Sequence, residues 1–597
     1  MDRTLSYVVR RLLVLVVGIL VILTAEFVIL RVMPDDPMML AMPRNPSAPA
    51  EGIEEIRAIF GEPLYVQYFQ FIGDMLTGEF YTSYWYEDDV STIILDSVGR
   101  TLFLFISTLC ACLLLGVLFA YLTSRLRGHV GRQLLSFVPL AMLAIPVVGW
   151  AWMMAFVFSV QFDLLPLGGH MTPGLGPDDP SRLMDFIEHS ILPLASVILA
   201  SLGMFALALR DGQDRAAATS SPERPSLRDG LFVAMPSVQF LVATAMCFVI
   251  VIEVFFSYRG LGWTLIWGLD RFDYFVIQAA VFVIAIIVLL TNFAIETAVT
   301  LARPKRRLDL YLREDREPSP AAPAEAARPG SLAGGVKGVV TDYLRSPVGI
   351  VSLVVLLGMV ALAVVGPMLS SDDISYEAFY SSSNMFLDGA TAMVAVPLLA
   401  AVFASVIGIA LGVLMGLIRP YADGFVAGVM QGLMAITVVC LMSLLSIVSR
   451  AESSAGDLGY LTASLDFMLP VAALVTLFVC HGFVSARKRL AAAGSGSVLG
   501  APPVRYGPSM ASWTLGALKY GVPMTAVAVF VCDFLNITQL ESWGRSLEFA
   551  YNQSMLLTGE WDYVFLPLIG AFLLVGSMFL VLDTLERVVR TRFAHLV

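Results

Sequence analysis

Charge is what this sequence has least of: 14% of its 597 residues are Asp, Glu, Lys or Arg, against 58% hydrophobic. So little charge cannot dress a water-soluble surface, and the composition is that of an integral membrane protein. Histidine is scarce as well. His129, His170, His189, His481 and His595 are scattered without ligand spacing, so a metal site built from them is not expected. The six cysteines, Cys110, Cys112, Cys247, Cys440, Cys480 and Cys532, all fall in apolar runs. There a thiol acts as a small hydrophobe, and no disulfide framework is implied for exported loops. No Gly-x-x-x-x-Gly-Lys-Ser/Thr phosphate loop occurs, and no polar segment is long enough for a nucleotide-binding domain. If ATP drives this chain, a separate protein must supply the ATPase. No Ser/His/Asp or Cys/His catalytic set is recognisable, which argues against an enzyme. The net charge of −11 does not suggest nucleic acid.

What is present is a series of long apolar runs. A hydrocarbon core about 30 Å thick needs roughly 20 apolar residues per helix, and such runs lie near 12–30, 101–123, 134–160, 191–209, 231–256, 275–302, 347–369, 391–418, 424–449, 467–484, 520–538 and 563–585. These predict an all-α polytopic membrane protein of about twelve spans in two six-helix halves, residues 1–302 and 347–597, joined by a cytoplasmic linker over 303–346. The first run follows Arg10 and Arg11 but is too long for a signal-peptide core and lacks a small-residue cleavage site, so it is expected to be retained. About three-quarters of the 37 Lys and Arg fall on one side of the predicted spans, which puts both termini in the cytoplasm by the positive-inside rule. The opposite side carries a large acidic loop over 33–100. The linker opens on Arg303-Pro304-Lys305-Arg306-Arg307 and turns rich in Ala, Pro and Gly. Such composition buries too little to order itself, and residues near 314–336 are expected to be a flexible tether.

Several motifs follow one another in an order that resembles a known family. Arg10-Arg11, then Arg31-Val-Met-Pro34-Asp35-Asp36-Pro37, Gly61-Glu-Pro63-Leu-Tyr65, Gly78-Glu-Phe, Arg100-Thr101, Leu165-Pro166-Leu-Gly168-Gly169 and Leu192-Pro193 lead to Glu253-Val-Phe-Phe256-Ser257-Tyr-Arg-Gly260-Leu261-Gly262 and Asp270-Arg271-Phe-Asp273-Tyr274. The first half resembles the B-type permease subunit of dipeptide, oligopeptide and nickel ABC importers, with Arg259 where a proline is expected. The second half resembles, more loosely, the partner C-type subunit: Leu344-Arg345-Ser346-Pro347, Gly408 to Gly412, Asp423, Phe534-Leu535 and Ser542-Trp543-Gly544 keep its order, although Asn536-Ile537-Thr538 replaces a Gly-Leu-Gly.

The resemblance implies a type I ABC importer permease with both membrane subunits fused, moving peptides or similar small solutes by alternating access. It implies no cofactor in this chain, with ATP-Mg on two partner ATPase subunits, and an extracytoplasmic solute-binding protein delivering substrate to an inner or plasma membrane. It also implies a cytoplasmic coupling element after the fourth span of each half. In the first half this falls at Arg215, Ala216 and Ala218, where alanine replaces the family's glycine; in the second it falls at Arg505, Tyr506 and Gly507. Glycine there would let the backbone turn where a Cβ clashes, and an ordinary cytoplasmic turn is the plain alternative. Three acids, Glu26, Glu253 and Asp533, fall in predicted spans, where an ionised carboxylate is costly and must face protein, water or a partner. Glu253, Phe256, Gly260, Gly262, Asp533 and Trp543 are the candidates for a translocation path or gate, although such an acid can equally cap a helix. A chain that has lost family glycines could instead be a non-transporting scaffold or sensor subunit of a larger complex. An ion-coupled secondary transporter is disfavoured because its halves usually carry broken helices with polar midplane residues, and these spans read as nearly uninterrupted.

Overall fold

A computed structural model of the chain describes residues 3–31, 61–83, 85–126, 129–176, 178–219, 227–271, 273–301, 332–370, 381–417, 429, 507–537 and 542–592. The described residues are helical apart from turns and one isolated bridge between Thr82 and Asp89. In chain order the helices of the first half are α1 (Arg3–Arg31), α2 (Leu64–Thr77), α3 (Val90–Arg125), α4 (His129–Ala144), α5 (Val147–Met154), α6 (Arg182–Thr219), α7 (Leu227–Phe255), α8 (Leu261–Arg271) and α9 (Tyr274–Leu301). They are followed by α10 (Leu332–Leu344), α11 (Pro347–Leu369), α12 (Ser382–Leu417), α13 (Gly507–Phe534), α14 (Trp543–Asn552), α15 (Met555–Thr558) and α16 (Asp562–Arg592).

Seven of these are long and apolar enough to cross a membrane, and α4 with α5 forms an eighth that is bent by 93°. α12 and α13 occupy the places expected for spans 391–418 and 520–538. The spans expected at 424–449 and 467–484 lie outside the described residues. The bend corrects the expectation of nearly uninterrupted spans. Pro146 opens α5 with extended backbone and lacks an N–H, so the helix cannot run on through Ile145.

The first half is a tight bundle. α6 packs on α3, α4 and α7, and α9 closes onto α1 and α7. Small residues bring the backbones together: a Cβ on Gly203 would meet the Pro139 carbonyl and lie 2.8 Å from Leu143 N, and one on Gly212 would meet the Gly230 carbonyl. Without a hydrophobic drive between helices in lipid, such close approach is the main source of packing energy. Arg11, at the start of α1, pairs in the protein interior with Glu296 near the end of α9, and Gln239 Nε2 donates to the other Glu296 oxygen at 2.8 Å. In the second half α16 packs along α13, α11 and α14 and reaches across to α4.

The last residues of the expected tether are helical: residues from Leu332 form α10, and Asp342 on it pairs with Arg592 Nη1 of α16 at 2.5 Å. Residues 302–331 lie outside the described residues. The helix expected after Arg345-Ser346-Pro347 begins there. Pro347 occupies its first turn and the Ser346 hydroxyl accepts the Gly349 N–H at 3.3 Å, the usual chemistry of a helix start.

Candidate functional site

The site is built on how α7 ends. Ser257 adopts a left-handed backbone (φ 51°), Ser257 N donates to Val254 O at 3.1 Å, and Tyr258 N donates to Glu253 O at 2.7 Å. This pair of bonds is the Schellman stop, which satisfies carbonyls that a helix end leaves orphaned. The reversal sends the chain into α8, whose first N–H groups point back at α7. Glu253 receives them: its Oε2 accepts from Gly262 N at 2.7 Å and Trp263 N at 3.3 Å, and its Oε1 accepts from Thr101 Oγ1 of α3 at 2.6 Å. Thr101 Oγ1 in turn accepts from Leu261 N at 2.7 Å. Three backbone donors at the start of α8 are thus satisfied by one carboxylate and one hydroxyl, with the helix N-terminus favouring the negative charge.

The glycines of this turn are fixed by the same geometry. A Cβ on Gly260 would enter the Glu253 carboxylate, and one on Gly262 would lie 2.5 Å from Ile250 Cα. Glu253, Gly260 and Gly262 are therefore brought together, but as a fully buried joint between α3, α7 and α8. Phe256 is buried beside them, where its carbonyl accepts from Gly169 N at 2.7 Å.

The second half repeats the device. Asn536 is left-handed (φ 52°), Asn536 N donates to Asp533 O at 3.0 Å, and Ile537 N donates to Cys532 O at 2.9 Å. In this register Phe534 matches Phe255 and Cys532 matches Glu253, which leaves Asp533 one residue out of step. The capping task passes to Ser542, whose Oγ accepts from Gly544 N at 3.1 Å. Asp533 is fully buried, with a Cβ built on Gly544 3.0 Å from its own. Trp543 is locked inside the second half: its indole Nε1 donates to Phe386 O at 2.8 Å, and its ring stacks on Phe386 at 5.1 Å. Glu26 is fully buried in α1, and its carboxylate has no hydrogen-bond partner among the described residues.

The two helix ends meet. The Phe255 and Phe534 ring centroids are 6.1 Å apart, Tyr551 of α14 packs on both at 5.4 and 5.9 Å, and Tyr551 OH donates to Phe255 O at 3.0 Å. The residues that join the halves here are Phe255, Phe534 and Tyr551 rather than Phe256 or Trp543. Sequence reasoning passed over them because an aromatic in an apolar span carries no mark of the surface it faces. It also passed over Asp211, Lys519, Asp583 and Glu586, charges at span ends that a solvated interface would explain. The backbone of Arg215, Ala216 and Ala218 continues α6 without a break to Thr219, rather than forming a separate short helix or a turn. Gly507 is the first residue of α13, while Arg505 and Tyr506 lie outside the described residues.

Comparison with known proteins fits this arrangement. Residues 4–104 match the family described as the N-terminal part of the membrane component of binding-protein-dependent transport systems. The chain is 25% identical over 334 residues to the di/tripeptide transport system permease protein DppB of Pseudomonas aeruginosa, covering 51% of this chain and 99% of that one. It is 27% identical over 316 residues to the oligopeptide permease AppB of Bacillus subtilis, and 25% over 319 to the glutathione permease GsiC of Escherichia coli K12. This chain is a transmembrane permease component of an ABC importer. Each of these relatives matches over nearly its whole length yet takes up only about half of the permease, which leaves room for a second membrane subunit in the same chain. As an importer component it is a multi-pass membrane protein that works with ATPase and binding-protein partners.

Proposed function

We propose that the permease carries both membrane subunits of a peptide-type importer, so that one chain supplies the whole translocation path. The carrying observation is the repeated helix stop: α7 and α13 end in the same motif, and their matched residues Phe255 and Phe534 face each other across the two halves. The substrate class is short peptides or similar small solutes, in keeping with the di/tripeptide, oligopeptide and glutathione systems its relatives are named for. Both termini and the linker lie in the cytoplasm of an inner or plasma membrane. Two ATPase subunits dock there, one at Arg215–Ala218 and one at Arg505–Gly507, and carry the ATP-Mg, the permease itself having no ATPase. A solute-binding protein delivers substrate at the outer face, where Phe255, Phe534 and Tyr551 form the closed outer seal; Glu253, Gly260 and Gly262 hold the turn that presents Phe255, and Asp533 and Trp543 brace the second half.

The test is gentle purification of the tagged chain followed by identification of partners and uptake of radiolabelled di- and tripeptides into cells. Two ATPase chains per permease, a binding protein and peptide uptake that vanishes with the permease are the expected outcome. Recovery with unrelated membrane subunits and no ATPase would overturn the reading in favour of a scaffold.

A further inference from the structure

At the opposite end of the path from the aromatic seal, charged side chains from both halves meet in the interior. Asp211 is on α6 of the first half; Lys519 and Tyr520 on α13, and Asp583 and Glu586 on α16, belong to the second. The Lys519 ammonium contacts Asp211 Oδ2 and lies 3.2 Å from Asp583 Oδ1 and 2.9 Å from Glu586 Oε2. Tyr520 OH donates to Asp211 Oδ2 at 2.9 Å. The Lys519 side chain is only 2% exposed. The three carboxylates come within 4.8 Å of one another, and the cation among them is Lys519 itself.

The distribution of partners is the informative part. Parting two halves joined by a buried ion pair normally strands a charge on each side, which is strongly unfavourable. Here each side keeps a counterion of its own. Asp211 has Arg210, whose Nη2 lies 3.0 Å from Asp211 Oδ1, and Lys519 has Asp583 and Glu586, while Asp583 also pairs with Arg587. The cross-half bond can therefore break without leaving a bare charge in the interior. A merely static interface needs no such arrangement, since apolar packing would hold it at lower cost.

Both latch helices also run toward the segments assigned to ATPase docking. Arg215 follows Asp211 by one turn of α6, and Gly507 begins the helix that carries Lys519. At 1.5 Å per residue these separations are about 6 and 18 Å along unbroken helix, so a shift of either docking segment moves its latch residue with it.

We infer that Asp211, with Lys519 and Tyr520, forms a reversible ionic latch that closes the inner end of the path between the halves and opens when the ATPases let the halves part. The inference rests on the importer reading, and its test needs neither substrate nor ATPase. In a variant whose only cysteine is Cys532, a buried residue two places before Phe534 on α13, inside-out vesicles are treated with a membrane-impermeant maleimide. Asp211→Asn removes the cross-half charge but leaves a carbonyl to accept from Tyr520, and it should raise the labelling rate about tenfold. Asp211→Glu should preserve protection. Arg587→Gln, which removes only the pair with Asp583 inside α16, should leave labelling unchanged. Unaltered labelling in Asp211→Asn at equal yield, or equal gains in Asp211→Asn and Arg587→Gln, would overturn the latch. Gain confined to Asp211→Asn in a chain that recovers no ATPase would retain the latch and remove the importer reading.

Discussion

At the scale of single residues, the joint at Glu253 makes the sharpest predictions. Glutamine there keeps the acceptor for Gly262 and Trp263, but its amide group faces a Thr101 hydroxyl that now donates to a carboxylate. Leaving a buried hydrogen bond unmade costs about 1–3 kcal/mol, so Glu253→Gln should lower the thermal midpoint of the purified protein as well as uptake; an unchanged midpoint with reduced uptake would return Glu253 to the path. Gly262→Ala places its methyl against Ile250 Cα and should destabilise by about 1–3 kcal/mol or more through overpacking, read in the same assay. A pH effect belongs to Asp273, which sits between α8 and α9 outside the spans. Burial raises its carboxyl to about 6, against the lowering pull of its hydrogen bond from Ser83 Oγ at 2.5 Å. The folded value lies above the ordinary value of about 3.9, so its contribution to stability is full below about pH 4 and is lost as pH rises through about 6. Thermal midpoints of the native protein minus those of Asp273→Asn should fall between pH 4 and pH 7.5. A flat difference would show that Asp273 does not titrate in the fold.

Between elements, what matters is how close two backbones can come. Gly203 on α6 lies so near Pro139 and Leu143 of α4 that any side chain must push the two apart. Gly203→Leu should loosen the broken third span, seen as faster proteolysis near residue 145 and a lower yield of folded protein, whereas Gly358, with open space where a methyl would stand, should tolerate alanine with less than about 0.5 kcal/mol of change. The bend between α4 and α5 was not read from the sequence. Pro146 lies inside an apolar run over 134–160 that reads as one span, because hydropathy registers length and not direction.

Across the whole molecule, the halves are held by the aromatic seal, by Leu568 of α16 against Gly149 of α5 and by the Asp211–Lys519 pair. Cutting the chain within 302–331 should therefore leave two fragments that copurify through a tag on one of them. Fragments that separate in mild detergent would show that the tether, rather than packing, keeps the halves together.

The sequence by itself determined the membrane class, the helical fold and the position of nearly every described span, because lipid forces each span to be a long apolar helix whatever its neighbours are. It also marked the Glu253 to Gly262 turn, since a carboxylate among apolar residues and glycines at fixed spacing are both costly without a reason. Only the tertiary structure decided what those residues do. Glu253 became a cap because α8 folds back onto α7 and α3, and Phe255 became an interface residue because α13 ends in the same stop opposite it. Lys519 and Asp211 are 308 residues apart, and nothing local to either predicts the other. An apolar or charged residue at a span end reads alike whether it meets lipid headgroups, its own bundle or the opposite half; that choice is made by packing between helices, which hydropathy and spacing do not encode.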